Sequence, residues 1–422
     1  MKGSNRLEFT VFIKWLALFL AFYLFTISRA DADLCQDFIL LDGMEKISFM
    51  GLDSTHHWWA VTQPFQDRYR IHIDGEISDA YDGISGLTFS PDGNRWAYFA
   101  ETNARIILET NDTTISLPGD EPGEIVFSPN SNVLAYSYKM QGIEVIIVGS
   151  RSYQVMNRTG KFYLSNNGER LAFMGRRAGS LVVNTNGQES MPFDTIIIAG
   201  YWYDGKLLYA GKSGNNWQVY KGNESITENY ASIKDLKINR EGNVAGFLAK
   251  LHGSGFVGVM ISEEYYEPLI SKKFDAVSNL ALHPQLPLYA FNAVQNGVNL
   301  VVLNSSEYIG GKLTGNPFFS HDGSELYFLG CDTDCFLSIN GKRYPMSMDI
   351  DTRRNYAVKP KSQTLAYSTS SNLVVRYLES KELFSGMMVD STSDTRFNWR
   401  ENRYETLGII NNKLYLLTCK TK

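Results

Sequence analysis

Histidine and cysteine are both scarce, with six His and four Cys in 422 residues. No His-Glu-x-x-His and no Cys-x2-Cys occurs, so the common zinc-holding spacings are absent. There is no Gly-x-Ser-x-Gly elbow and no Walker-type loop either. Neither sign of charge dominates: 40 Lys+Arg stand against 45 Asp+Glu, a formal net charge of −5. That balance lacks the basic footprint of a nucleic-acid-binding protein. A helical 3.6-residue period is missing everywhere after residue 33. What remains is 44% hydrophobic and 13% aromatic, which excludes global disorder and a collagen-like fibre.

The first 32 residues read as a targeting segment. Lys2, Arg6 and Lys14 precede an apolar run of 13 residues from Trp15 to Ile27, and Ala30-Asp31-Ala32 offers small residues before Asp33. This is the layout of a secretory signal peptide over 1–32. A membrane anchor is the alternative, but spanning needs about 20 apolar residues and Lys14 interrupts the run. Cleavage leaves 36 basic and 43 acidic residues, net −7, on a mature chain 33–422.

An internal repeat organises that mature chain. Phe89-Ser90-Pro91-Asp92-Gly93 followed by Ala97-Tyr98 recurs as Phe127-Ser128-Pro129-Asn130 with Ala135-Tyr136, and as Leu164-Ser165-Asn166-Asn167-Gly168 with Ala172-Phe173. Aligned on the residue that opens the turn, the anchors are Asp53, Ser90, Ser128, Ser165, Tyr203, Asn239, His283, Ser320, Lys359 and Arg400, spaced 36 to 44 apart. Seven residues after the anchor stand Ala60, Ala97, Ala135, Ala172, Ala210, Gly246, Ala290, Tyr327, Ala366 and Leu407. Strand propensity alone does not select small residues there. Each unit reads as strand, tight turn, strand, then third and fourth strands, so the fold class is all-β, a β-propeller of four-stranded blades. Ten repeats are read; merged degenerate copies giving eight or nine blades, or two smaller propellers, fit the same spacing. The segment Asp37–Leu41 is expected to supply the outer strand of the last blade and close the ring.

The Phe-Ser-Pro-Asp-Gly…Ala-Tyr pattern resembles the TolB-like family of propeller repeats, also described as WD40-like or PD40-type. The resemblance spans nearly all of residues 33–422 as a repeat type. It implies a fold and no catalytic residue, because the repeated positions are structural.

The even cysteine count in an exported chain favours disulfides. Cys331 and Cys335 flank a tight loop, which leaves Cys35 and Cys419, one at each end of the mature chain, for the closure seam. His56-His57 on a strand face opposite sides and make a poor chelate. Asp332 and Asp334 are too few for a calcium site by themselves. Gly253-Ser254-Gly255-Phe256-Val257-Gly258 matches a dinucleotide fingerprint literally but precedes a strand-like stretch, not a helix. Asn111, Asn157, Asn223 and Asn304 head glycosylation triplets that matter only in a eukaryotic secretory host.

No catalytic, cofactor or metal residues are assigned, and no cofactor is expected. The loops between second and third strands carry Lys139, Arg176, Arg177, Lys212, Lys250 and His252, a possible binding arc for an anion or an acidic peptide. Asp120, Glu121 and Glu124 on a neighbouring connection moderate it. The expected function is a non-catalytic binding platform, periplasmic or secreted. Its partner is an envelope or extracellular protein, or a small ligand at the channel mouth, with no nucleic acid. A propeller hydrolase or lyase acting on glycans or peptides, with carboxylates converging from several blades, is the alternative.

Overall fold

The repeat folds around its turn. In a computed structural model describing residues 35–265, 267–346, 356–362, 364–369, 371–378 and 383–420, Ser90 bridges the first two strands of its blade. Its hydroxyl donates to Asp92 at 2.6 Å and accepts the Arg95 backbone N–H at 2.9 Å. Asp92 also accepts the Asn94 N–H at 3.1 Å. These bonds, the Ser90 hydroxyl first, hold its carboxyl down at about 2. Ser128 with Asn130, Ser165 with Asn167 and Ser320 with Asp322 repeat the arrangement. At Asn239 one side-chain oxygen does the work of the hydroxyl, accepting the N–H groups of Asn243 and Val244. The motif is thus a cap for a tight turn whose buried polar groups all find partners.

Ten antiparallel sheets result, nearly all following chain order, and the fold is that of a β-propeller with ten blades. The chain forms two compact units. One, Asp53–Arg354, contains seven complete sheets, from the blade beginning at Gly83–Phe89 to the blade ending at Lys342–Met346, together with the strands Trp58–Phe65, Arg68–Ile73 and Glu76–Ile77. The other unit joins residues up to Leu52 with Asn355–Lys422. It contains the sheet Tyr356–Lys359, Thr364–Ser368, Leu373–Tyr377 and Leu383–Ser385. In its other sheet the N-terminal strand Cys35–Leu41 lies antiparallel to Lys413–Lys420, placing Cys35 opposite Cys419. Both expected disulfides, Cys35–Cys419 and Cys331–Cys335, are formed. The targeting segment 1–32 lies outside the described residues.

The small-residue column is a packing feature. Ala97, Ala135, Ala172, Ala290 and Ala366 are fully buried in it, whereas the turns at Asp53 and Trp202, one residue shorter, bring Trp59 and Leu208 to that position and move Ala60 and Ala210 off it. A Cβ on Gly246 would stand 2.8 Å from Leu282 of the next blade. Aromatics one residue on, such as Phe247, Phe291 and Phe328, are almost completely enclosed. Each contributes roughly 1.5–3 kcal/mol by leaving water. Two anchors shift from their expected places. Trp202, not Tyr203, opens its turn, because that turn is one residue shorter: Trp202 N–H donates to Lys206 O. Asn398, not Arg400, opens the last, its side chain accepting the N–H groups of Arg400 and Glu401. Glu405, rather than Leu407, then faces the first strand, paired in register with Arg396.

Successive turns are also bonded to one another. The Arg95 guanidinium donates to Ser131 O and Asn132 O, Asn130 N–H to Asn166 O, and the Arg170 guanidinium to Gly205 O. Tyr203 N–H donates to Gly242 O, the Asn239 amide to Pro284 O, and His283 Nε2–H to Gly323 O. In these links the donor lies on the earlier blade and the acceptor is a main-chain carbonyl of the next, while the Asp92 N–H adds a bond to the Ser131 hydroxyl at 3.0 Å.

His283 shows the strength of the constraint. Its Nδ1 accepts the N–H groups of Gln285 and Leu286 while Nε2 keeps the proton, so the ring is neutral. Burial lowers its pKa below the ordinary 6.5. The unfolded chain therefore binds the extra proton first, and stability falls as pH drops below about 6.5. His283→Ser, which installs the residue of the better-formed turns, is expected to flatten the melting temperature between pH 7 and pH 5; an unchanged slope contradicts the assignment. Cys419→Ser is expected to cost about 2–4 kcal/mol in non-reducing melts, since the lost link joins residues 384 apart in the chain. Equal melting of variant and parent would dismiss a stabilising role.

Candidate functional site

Two polar features stand at opposite ends of the strands in the larger unit. The first is at the hairpins joining second to third strands. Lys139, Arg176, Lys212 and Lys250 occupy one equivalent position in four successive blades. The equivalence holds for Lys212 once the shorter Trp202 turn is counted. Opposite them in register stand Glu144, Leu181, Trp217 and Phe256. Arg177 is the next residue along and pairs with Glu189 at 3.0 Å, while His252 is exposed in the hairpin loop. The Lys250 ammonium sits 5.9 Å from the centre of the Phe256 ring.

Neighbouring acids divide this row. Glu121 pairs with Lys139 and raises its pKa, through the hydrogen bond first and the charge second. Glu124 is engaged elsewhere: with Glu144 it clamps Arg158, at 3.3 and 2.5 Å, and it accepts the Phe162 N–H. Burial dominates there and raises the Glu124 pKa. Asp194, beside Lys212, caps the hairpin by accepting the Gly214 N–H at 2.8 Å. Among the described residues Arg176, Lys212 and Lys250 make no ion pair. The sequence expectation of a basic arc is thus narrowed: three of its members keep unpaired charge, and Lys139 and Arg177 are neutralised.

The second feature is a cavity of about 620 Å³ at the turn ends of three blades. It is bounded by the first strands Ser232–Ile238 and Ala276–Leu282, by the segment from Asn316 to Phe319, and by the turns that follow. It gathers one carboxylate, Asp235, with the cations Lys237 and Arg240, against the Phe318 and Phe319 rings. Sequence reasoning missed it. The signal was Asp235 and Asn279, each four residues before its anchor, where the Ser90 repeat carries Gly86.

The other sequence motifs resolve as structure. His57 bonds Asp74 and stacks on Phe89 at 5.7 Å, while His56 takes a left-handed turn conformation with φ of 73°. Asp332 accepts the Lys312 N–H at 3.0 Å. The run after Gly255 is the strand Phe256–Ser262. Among the described residues no three His, Cys, Asp or Glu gather as a metal set, and no helix is long and apolar enough to cross a membrane.

No protein-family model matches the chain, and no curated protein sequence matches it. Solved structures match it at low identity. A eukaryotic initiation factor matches over 74% of this chain and 89% of its own, at 15% identity and a TM-score of 0.46. The Dos1 propeller matches over 80% and 92%, at 11% identity and 0.40. TolB from Acinetobacter baumannii matches over 70% and 78%, at 10% identity and 0.30. The fold assignment rests on this chain's own sheets.

Glu121→Gln tests the division of the row. The Lys139 pKa, followed by side-chain NMR titration, is expected to fall back toward its ordinary value with no change in melting temperature. A Lys139 titration identical to the parent's removes the pairing.

Proposed function

We propose that the protein is a non-catalytic binding propeller, periplasmic or secreted, whose second-to-third-strand hairpins receive an acidic segment of another envelope or extracellular protein. The observation that carries this reading is the recurrence of a cation at one structural position in four successive blades, three of them unpaired. On a chain whose mature part is net −7 the row is a local reversal of sign. Charges so placed steer encounter and fix register more than they add affinity, so the association depends on salt. Both disulfides suit an oxidising compartment.

The test is crosslinking of the purified protein to the envelope and secreted fractions of its native host, at low and at moderate ionic strength. A specific partner is expected at low salt. Its yield should drop about tenfold in the triple variant Arg176→Glu, Lys212→Glu, Lys250→Glu, and be retained in Arg240→Gln, whose site lies at the opposite strand ends. Equal capture by the triple variant, or no specific partner at either salt, rejects the proposal.

A further inference from the structure

The cavity beside Asp235 departs from the repeat in three ways, each with a physical cause. First, every complete blade from Gly83 to Ile309 interrupts the pairing of its first strand with a bulge. Bulges re-aim side chains, and a glycine is the simplest residue to take the positive φ they often need. Gly86, with φ of 69°, does so. In the two neighbouring blades that wall the cavity the same place is taken by Asp235, φ 53°, and Asn279, φ 56°. A carboxylate and an amide are therefore held in a left-handed backbone at the cavity wall where no side chain is needed for the bulge itself.

Second, the third blade opens. Its first strand splits into Leu313–Thr314 and Phe318–Phe319, because Pro317 has no N–H for the ladder. The Gly315 carbonyl turns instead to the Asn292 amide at 3.1 Å. This split presents Phe318 and Phe319 as an apolar floor. Third, the cations there are not used by neighbouring acids. Lys237 spends one N–H on the Leu280 carbonyl at 2.5 Å, and among the described residues neither it nor Arg240 pairs with a carboxylate. Asp235 likewise has no partner among them.

We propose that this cavity binds a small amphipathic anion. The anionic head group, a carboxylate or a phosphate, lies between Lys237 and Arg240, the apolar body rests on Phe318 and Phe319, and Asp235 and Asn279 take hydroxyl or amine groups along its edge. The volume suits one drug-sized molecule, as ligand cavities of about 300–1,000 Å³ do. The guanidinium presents a planar fork that matches either head group, and the ammonium adds a point charge. The site is separate from the hairpin row and does not depend on it.

The probe is 8-anilino-1-naphthalenesulfonate, which joins one anion to an aromatic body, titrated by fluorescence into the full chain. N-phenyl-1-naphthylamine, its uncharged counterpart, reports the apolar contribution alone. One sulfonate probe per chain is expected, with affinity about tenfold weaker in Arg240→Gln, whose exposed side chain makes no hydrogen bond or ion pair among the described residues. Lys237→Gln should act alike, its melting temperature showing whether the lost carbonyl bond matters to the fold. The uncharged probe should bind parent and variants equally. Displacement by benzoate, by phenyl phosphate or by both identifies the head group. Unchanged sulfonate binding in Arg240→Gln, several equivalent sites, or displacement by neither competitor overturns the proposal.

Discussion

The hydrogen bonds that run forward from turn to turn are the constraint on which the rest depends. A four-stranded sheet satisfies its own ladder and buries one face against each neighbour, yet apolar packing alone is indifferent to sliding. The turn links remove that freedom: from the Ser90 turn to the Ser320 turn, each is fixed to a particular carbonyl of the next. Given that registration, a methyl group can fill the gap at Ala135 or Ala172, and the aromatic beside it can reach the adjoining blade. Registration also sets the first strands side by side, which is what places Asp235 and Asn279 on one cavity.

Much of this was legible in the residues. The alanine column was visible because nothing but close packing asks for alanine in a strand. The seam was visible because an unpartnered strand and two cysteines lay at the two ends of residues 33–422. The displaced anchors were not visible. Trp202 looks like the apolar residue that precedes an anchor, and only the backbone bond to Lys206 shows the turn to be one residue short. At Asn398 the degenerate sequence offers Arg400 just as readily, and only the side-chain bonds decide.

The functional surfaces divide in the same way. A basic cluster could be read from the chain, because spacing near the repeat length brings equivalent residues to one end. Its neutral members could not, since the register between Glu121 and Lys139 passes through a bulge after Pro122. The cavity was harder still. It comes from a missing proline N–H and from two residues that merely replace glycine, and neither looks like chemistry until three blades are assembled. The hairpin end and the turn end thus carry separate opportunities, one for a charged surface and one for a small molecule in an open pocket.

The turn links have one more consequence, for divergence among the repeats. Their donors are varied: arginine guanidinium groups, bare backbone amides, an asparagine amide and an imidazole. Apart from the Ser131 hydroxyl, which takes the Asp92 N–H, their acceptors are peptide carbonyls, which every residue supplies regardless of its side chain. One half of a carbonyl joint is therefore blind to mutation, and the other half accepts several chemical solutions. A repeat can lose its serine, its aspartate or even its turn length and still be held by its neighbours. Such a chain wanders far in sequence at little structural risk, and that is the state in which the copies around Trp202, Asn239 and His283 are found.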